Sequence, residues 1–275
     1  MFSEAIADVV RLSSLGPEER GRLVQRIADR LGADWKPGEA SSAPLGLPLV
    51  HGPTGLAFSA IAGGTFDMGL TEVDLAEART YFEWGEEFTK IFERGTTEQR
   101  PVHRVRVRPF LFGTSPLEGE EVVRFSQGLV SAPGDARFSR RQVIDVSASL
   151  GFRLPSEAEL EWLCRDGGVT SFTLDAARKL DETGGDSRKL HSRFGALGLF
   201  DDQWAADDYH PTYEGAPDTS VPWMDGLGEG VCRGGCSPEY VDEPHQIVGL
   251  LASMRSNGTM ARARVRLARD IPPLD

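Results

Sequence analysis

The strongest local signal in this chain of 275 residues is the stretch RLPSEAELEWLCRDGG at 153–168. Ser156 can accept a hydrogen bond from the first helical turn, and Glu159 can bond back to the backbone of Ser156, which makes a capping box. Gly167 and Gly168 are suited to end the helix. The apolar stripe between these signals consists of Leu160, Leu163 and Cys164. The stretch therefore predicts a short, well-bounded helix with one side facing a core.

Glycine and proline are frequent in the chain, with 31 and 17 occurrences. Both residues favour turns, so we expect many loops and short strands rather than long helices. The hydrophobic fraction of 40% and the charged fraction of 26% are typical of a globular protein. The length suits one large domain, or one domain with a small appendage.

The formal net charge of −12 excludes two classes of partner. A strongly acidic protein is repelled by phosphate backbones and by anionic lipid surfaces, so we expect neither nucleic acid nor membrane as a partner. The three cysteines do not suit a disulfide-stabilised secreted domain. The N-terminal MFSEAIADVV lacks the apolar run of a signal peptide, and no stretch has transmembrane length. These features favour the reducing cytoplasm.

The chain divides into three parts by composition. Residues 1–35 predict a helical segment, with helices at 2–14 and 17–31. Residues 36–54 are rich in Pro, Gly, Ser and Ala, which predicts a linker. Residues 55–275 are expected to form the main domain. The helical segment is interpreted either as a cap packed on that domain or as a helix pair that docks a partner.

Strand and turn signals follow in the main domain. Gly63-Gly64 between two apolar stretches predicts a hairpin, and alternating valines and arginines predict a half-buried strand at 102–112. The acidic and aromatic residues 70–97 between them predict a helical insertion. Two further helices are predicted at 117–130 and 139–150.

Six segments carry motifs that occur in the same order in one protein family. They are FDMG (66–69), EQRPVHRVRVRPF (98–110), RLPSEAELEW (153–162), GLFDD (198–202), CRGGC (232–236) and RSNGTMARARVRLAR (255–269). Together they resemble the formylglycine-generating enzymes, or sulfatase-modifying factors. The resemblance implies an α+β fold: an irregular, C-type-lectin-like domain of the formylglycine-generating-enzyme type, preceded here by a short N-terminal helical appendage.

The chain departs from this family at the catalytic cysteines. In the family that this chain resembles, catalytic members have one cysteine three residues after the serine of an Arg-Gly-Gly-Ser turn. A second cysteine follows five residues later. Those two thiolates bind copper, a soft metal, for the oxidation of a substrate cysteine. In this chain the equivalent positions are Glu239 and Pro244, and Cys236 stands at the position of the serine.

The remaining cysteine pair suggests a different site. Cys232 and Cys236 flank a Gly-Gly turn, and with His245 they could hold copper or iron, or act as a redox pair. The usual zinc and thioredoxin-like motifs have two intervening residues rather than three. The alternative is that both are small, semi-buried core residues.

A second departure concerns calcium. The family resemblance implies a Gly-Asn-Val-Trp-Glu-Trp run whose oxygens help to bind calcium, and only Trp204 remains of it here. The carboxylates nearby could bind a cation in another way, or they form a solvated acidic loop. These metal candidates are Asp201, Asp202, Asp207 and Asp208.

A last group of residues could form a recognition surface, because aromatic and arginine side chains are good contact anchors. The candidates are Trp204, Tyr209, Tyr213, Trp223, Arg233, Tyr240 and Arg255. For the aromatic members the alternative is core packing. For the arginines it is pairing with buried carboxylates that stabilise an irregular core.

The retained scaffold motifs and the lost cysteine pair together favour a protein without cysteine-to-formylglycine oxidase activity. We expect it to bind a protein or peptide, or to act as an accessory module. The alternative is a copper- or non-haem-iron-dependent oxidoreductase with a rearranged active site around Cys232, Cys236 and His245.

Overall fold

The structure is a computed structural model, and it describes ten stretches of the chain. They are residues 2–74, 76, 96–128, 138–168, 192–199, 202–225, 230–233, 256–258, 260–261 and 264–274. Most of the predicted helical insertion at 70–97 lies outside them.

Helices and strands alternate irregularly along the chain. The helices are α1 (Phe2–Ala7), α2 (Val9–Ser13), α3 (Pro17–Leu31), α4 (Gly119–Phe125), α5 (Arg140–Ser149) and α6 (Glu157–Cys164). The strands are β1 (Trp35–Pro37), β2 (Pro48–His51), β3 (Ala57–Ile61), β4 (Gly64–Met68), β5 (His103–Val107), β6 (Phe110–Gly113), β7 (Phe138–Ser139), β8 (Gln203–Asp208), β9 (Gly230–Arg233), β10 (Ser256–Gly258), β11 (Met260–Ala261) and β12 (Ala268–Asp270).

The N-terminal helices begin and end where local signals place them. The predicted helix at 17–31 is confirmed as α3, with Pro17 at its first position and the Gly16 N–H donating to Glu19 at 2.9 Å. The predicted helix at 2–14 is divided into α1 and α2, because Asp8 is extended and its carboxylate caps α2 by accepting from the Val10 N–H.

The helical segment shares its core with the main domain. Leu12 of α2 and Leu23 and Ile27 of α3 belong to one buried cluster with Phe58 of β3. Two strands, β1 and β2, lie in or at the edge of the range 36–54 whose composition predicts a linker. Both strands pair within a five-stranded antiparallel sheet of order β1-β2-β3-β6-β12.

The predicted hairpin at Gly63-Gly64 is wrong, because the two strands around it join different sheets. Strand β3 pairs with β2 and β6, whereas β4 pairs with β5. Gly63 is instead tied to the N-terminal helices: its N–H donates to the Ile6 carbonyl, and its own carbonyl accepts from Val9. A Cβ at Gly64 would overlap the ring of Trp162, so this close approach requires glycine.

The alternation predicted at 102–112 is confirmed in β5, where Val105 and Val107 are buried and Arg104 and Arg106 are exposed. The predicted strand does not continue through residue 112. It breaks at Arg108-Pro109, and the chain resumes as β6 in the five-stranded sheet.

The remaining described elements are short. Strands β8, β9 and β10 form a three-stranded antiparallel sheet, and β7 pairs with β11. Helices α4 and α5 confirm that helices occur within 117–130 and 139–150; α4 has half of its predicted length, and α5 is one residue shorter at each end than predicted. Among the residues that the structure describes, no helix has both the length and the apolar character needed to cross a bilayer. The architecture confirms an α+β class with little regular secondary structure.

Candidate functional site

Helix α6 carries three buried carboxylates into the centre of the domain. The capping box is confirmed, since Ser156 accepts from the Glu159 N–H at 3.1 Å and Glu159 accepts from the Ser156 N–H at 2.9 Å. Glu157 and Glu161 lie on either side of Glu159, and all three are at most 2% exposed. Carboxylates at such positions must be paired or hydrogen-bonded to remain charged.

Arg233 of β9 is the cation that holds two of these carboxylates. Its Nη2 donates to Glu161 at 2.8 Å, and its Nη1 lies 3.2 Å from Glu157. The same Nη1 donates to the Tyr213 hydroxyl and to the Gln99 side-chain oxygen, each at 3.1 Å. The Tyr213 hydroxyl in turn donates to Glu157 at 2.7 Å.

Arg165 extends the same network toward the turn after β4. It donates to Glu161 at 2.9 Å and to both oxygens of Asp74 at 3.2 Å, and it also binds the Gly69 carbonyl at 2.7 Å. Burial tends to raise the pKa of Asp74, but Arg165 and hydrogen bonds from Thr71 outweigh it and hold the pKa below its usual value. We call this network the charge cluster; its members are Asp74, Gln99, Glu157, Glu161, Arg165, Tyr213 and Arg233.

The charge cluster is buried and links elements of the core, so it is not a recognition surface. Arg233 and Tyr213 are candidates for surface contacts from the sequence, yet they are only 4% and 2% exposed. The structure therefore corrects that prediction for both residues, and the pairing of Arg233 with buried carboxylates is confirmed. Trp204 is also an interior residue, packed beside Gly230 where a Cβ would lie 2.9 Å from its ring.

Asp207 and Asp208 do not form a solvated loop, because both belong to β8 and are buried. Asp207 accepts backbone N–H bonds from Glu157 at 2.7 Å and from Trp223 at 2.9 Å. Burial and the neighbouring Glu157 carboxylate raise the pKa of Asp207 to about 7. Asp208 pairs with Arg140 at 2.7 Å.

The other metal candidates fall differently. Asp202 is half-buried and precedes β8, and its carbonyl accepts from the Arg264 N–H at 2.7 Å. Asp201 lies outside the described residues. Among the residues that the structure does describe, no three His, Cys, Asp or Glu side chains are arranged to hold a metal ion.

The structure describes two cysteines, one buried and one half-buried. Cys232 is on β9, directly opposite Trp204 of β8, and is 1% exposed. Burial raises the pKa of the Cys232 thiol well above its usual range. Cys164 on α6 is half-buried, and burial raises its pKa to about 12. The partners proposed for Cys232, namely Cys236 and His245, lie outside the described residues.

Trp223 is the surface candidate that the structure places beside exposed apolar residues. Its ring stacks on His210, with centroids 3.4 Å apart and planes inclined by only 4°. The Nδ1 atom of His210 is 3.0 Å from the Asp208 carbonyl, and its Nε2 is 3.3 Å from the Asp225 carboxylate. Val221 and Met224, on either side in sequence, are 52% and 58% exposed.

Strand β8 fixes this surface. The Asp208 N–H donates to the Trp223 carbonyl at 2.8 Å, and Trp223 N–H donates to Asp207, so both polar groups of the Trp223 backbone are bound. We call the set His210, Val221, Trp223 and Met224 the aromatic face. Tyr209 is half-buried and packs against the core, and the candidates Tyr240 and Arg255 lie outside the described residues.

Beside the aromatic face is a cavity of about 530 Å³ that no sequence signal indicated. Its walls come from five parts of the chain: α1, the break between β5 and β6, the segment 153–159, residues 220–222 and the tail 270–274. The Ser3 hydroxyl donates to the Leu274 carbonyl, which joins the two ends of the chain at one side of the cavity. Its size lies within the usual range of small-molecule pockets.

Comparison with known proteins places the fold but no activity. No protein-family model matches the sequence, and no curated protein matches it. At the level of structure, 34 chains match. One is PvdO from Pseudomonas aeruginosa, with a TM-score of 0.56 and 18% identity, covering 79% of this chain and 95% of that chain. Another, Treponema denticola variable protein 1, has a TM-score of 0.48 and 15% identity over the same shares.

An identity of 18% supports a shared fold and nothing finer. The protein therefore has an irregular α+β fold of the C-type-lectin-like kind, and it shares this fold with PvdO.

Proposed function

We propose that this protein is a divergent relative of the formylglycine-generating enzymes that keeps their scaffold and binds a protein or peptide, without oxidising cysteine. The observation that carries the proposal is the aromatic face. Exposed Val221 and Met224 flank a Trp223 ring that is held flat against His210. Rigid aromatic anchors beside exposed apolar side chains are the usual composition of an interface centre.

The chemistry of the CRGGC turn supports the absence of oxidase activity. A copper-binding thiol must lose its proton, and burial of Cys232 makes that loss unfavourable. The arginine of this motif, Arg233, donates its hydrogen bonds to members of the charge cluster. Glu239 and Pro244 stand where the family resemblance implies the two cysteines, and neither side chain can form a thiolate.

The binding half of the proposal is tested by selection of peptides on the immobilised protein. Enriched peptides are titrated against the wild type and Met224→Asp, with Val10→Asp as the matched control. Val10 is 69% exposed on α2 and is not a member of the aromatic face. We expect Met224→Asp to weaken binding at least about tenfold and Val10→Asp to leave it unchanged. Failure to enrich any peptide, or equal binding by both variants, would contradict the proposal.

The catalytic half is tested with a sulfatase-type Cys-x-Pro-x-Arg peptide, copper and oxygen. We expect no aldehyde product, and its formation would overturn this part of the proposal. Metal analysis of the purified protein addresses the rival oxidoreductase. Stoichiometric copper or iron that is lost in Cys236→Ala would favour a rearranged metal site over a binding module. Calcium binding is tested separately, by whether added calcium raises the thermal unfolding temperature.

A further inference from the structure

The cavity beside α1 and the tail 270–274 is lined by an arginine, Arg108, that has no ion-pair partner among the described residues. Arg108 lies at the break between β5 and β6 and lines the cavity. It is exposed, and none of the residues in the described stretches pairs with its guanidinium. An arginine presented in this way is suited to a carboxylate, which it can bind through two parallel hydrogen bonds.

The second arginine of the cavity is fully engaged. Arg153 directs all five of its N–H groups at protein acceptors: two at Glu159, two at Asp270 and one at the Leu154 carbonyl. The buried Glu159 carboxylate is thereby neutralised, and Asp270 has a side chain that is 83% exposed to screening solvent. Arg153 therefore lines the cavity without a free N–H group for a ligand. Arg108 is the arginine of this cavity that can bind an anion.

A hydroxyl group lies close to Arg108. Ser220 is buried at the cavity, and its Oγ accepts from the Arg108 backbone N–H at 3.2 Å. The position of Ser220 is fixed, because its own N–H donates to the Arg106 carbonyl at 3.0 Å. No acceptor in the described part of the chain takes the hydroxyl proton of Ser220, so the hydroxyl can donate this proton to a ligand.

The rest of the lining is largely apolar. It consists of Ile6 of α1, Pro109, Val221, Pro222 and the tail residues 271–274. An apolar wall with a few convergent polar groups is typical of a small-molecule pocket. A ligand in it would have an apolar body against this wall and one anionic group at Arg108 and Ser220.

We propose that the cavity binds a small amphipathic carboxylate, with the carboxyl group held by Arg108 and Ser220 and the apolar chain or ring against the tail. The site does not rest on the peptide-binding proposal, because it uses a different set of polar groups and a different class of ligand. It assigns a role to the junction of the two chain ends, which the resemblance to a family did not address.

The test is calorimetric titration of the full chain with hexanoate, compared with hexanamide, which has the same shape without the charge. Arg108→Gln removes the cation, and Arg104→Gln is the matched control. Arg104 lies on β5, just before the break that carries Arg108, and it pairs with Asp67 outside the cavity. We expect the wild type to bind hexanoate saturably and hexanamide at least about tenfold more weakly. Arg108→Gln should bind hexanoate at least about tenfold more weakly than the wild type, and Arg104→Gln should bind it as the wild type does.

Two outcomes would overturn the proposal. The first is no saturable binding of hexanoate by a wild-type protein that is folded by circular dichroism. The second is equal binding of hexanoate and hexanamide, since this would mean that Arg108 does not bind the negative charge of the ligand. The amide comparison uses the wild type alone, so the proposal stays testable even if Arg108→Gln does not fold.

Discussion

Arg233 and Glu161 form an ion pair of 2.8 Å in the interior, with 5% and 1% of their side chains exposed. The pair joins β9 to α6, and Glu161 reaches on to Arg165 at 2.9 Å. A carboxylate between two arginines offsets the repulsion that the two cations would otherwise exert on each other. The Gly69 N–H, after β4, also donates to Glu161 at 2.9 Å, so three separate parts of the chain depend on this one carboxylate.

Replacement of that carboxylate should destabilise the fold strongly. We expect Glu161→Gln to lower the free energy of unfolding by about 3–5 kcal/mol, because Arg233 and Arg165 each lose a buried ion-pair partner. Urea unfolding at pH 7 measures the loss. The matched control is Asp145→Asn, which breaks a surface pair with Arg141 and should cost less than about 1 kcal/mol. Equal losses would show that the interior pair contributes no more than the surface pair.

The ionisation of Asp207 should make stability depend on pH. Burial and Glu157 raise its pKa to about 7, whereas an unfolded aspartate titrates near about 3.9. The folded protein thus binds this proton more tightly than the unfolded chain does. The stabilisation that results is complete below about pH 4 and is lost as the pH rises to about 7.

Comparison with Asp207→Asn isolates this effect, because the amide cannot ionise. The free energy of unfolding of the wild type, minus that of the variant, should fall by up to about 1.4 kcal/mol per pH unit between about pH 5 and pH 7. Urea titrations at several pH values and constant ionic strength measure the difference. A difference that rises with pH would show instead that the two backbone donors, Trp223 and Glu157, keep the carboxylate charged.

Gly64 and Gly21 should respond in opposite directions to a methyl group. Gly64→Ala forces a Cβ into the ring of Trp162, and we expect a loss of about 1–3 kcal/mol from overpacking. Gly21 lies within α3 with no atom near its ideal Cβ position. Gly21→Ala should therefore stabilise the protein by about 0.5–1 kcal/mol. Thermal unfolding of both variants checks the signs, and a neutral Gly64→Ala would mean that Trp162 shifts without cost.

The thiols of Cys164 and Cys232 should resist alkylation in the native state. In a Cys236→Ser background, iodoacetamide can react only with Cys164 and Cys232, and burial raises the pKa of both. We expect labelling at pH 8 to be slow in buffer and fast in urea, since the thiolate is the reactive form. Mass spectrometry of tryptic peptides assigns the labelled residue. Rapid native labelling of Cys232 would reopen the metal-site interpretation.

The amino-acid sequence determined the elements whose signals are local. The capping box of Ser156 and Glu159, the helix beginning at Pro17 and the alternation of Val105 and Val107 were all predicted, because their contacts join residues within four positions. The ordered motifs also indicated the fold class, although each motif alone is weak.

Only the tertiary structure decided which groups meet. Arg233 and Glu161 are 72 positions apart, and nothing in either segment names the other as its partner. The glycines at 63 and 64 resemble a hairpin signal, yet packing against α1 and Trp162 sends the two strands into different sheets. Burial likewise turned Tyr213 and Trp204 from surface candidates into core residues, and it brought Arg108, Ser220 and Leu274 to one cavity. Such outcomes depend on the packing of the whole domain, since desolvation and long-range pairing are properties of the folded chain and not of any segment.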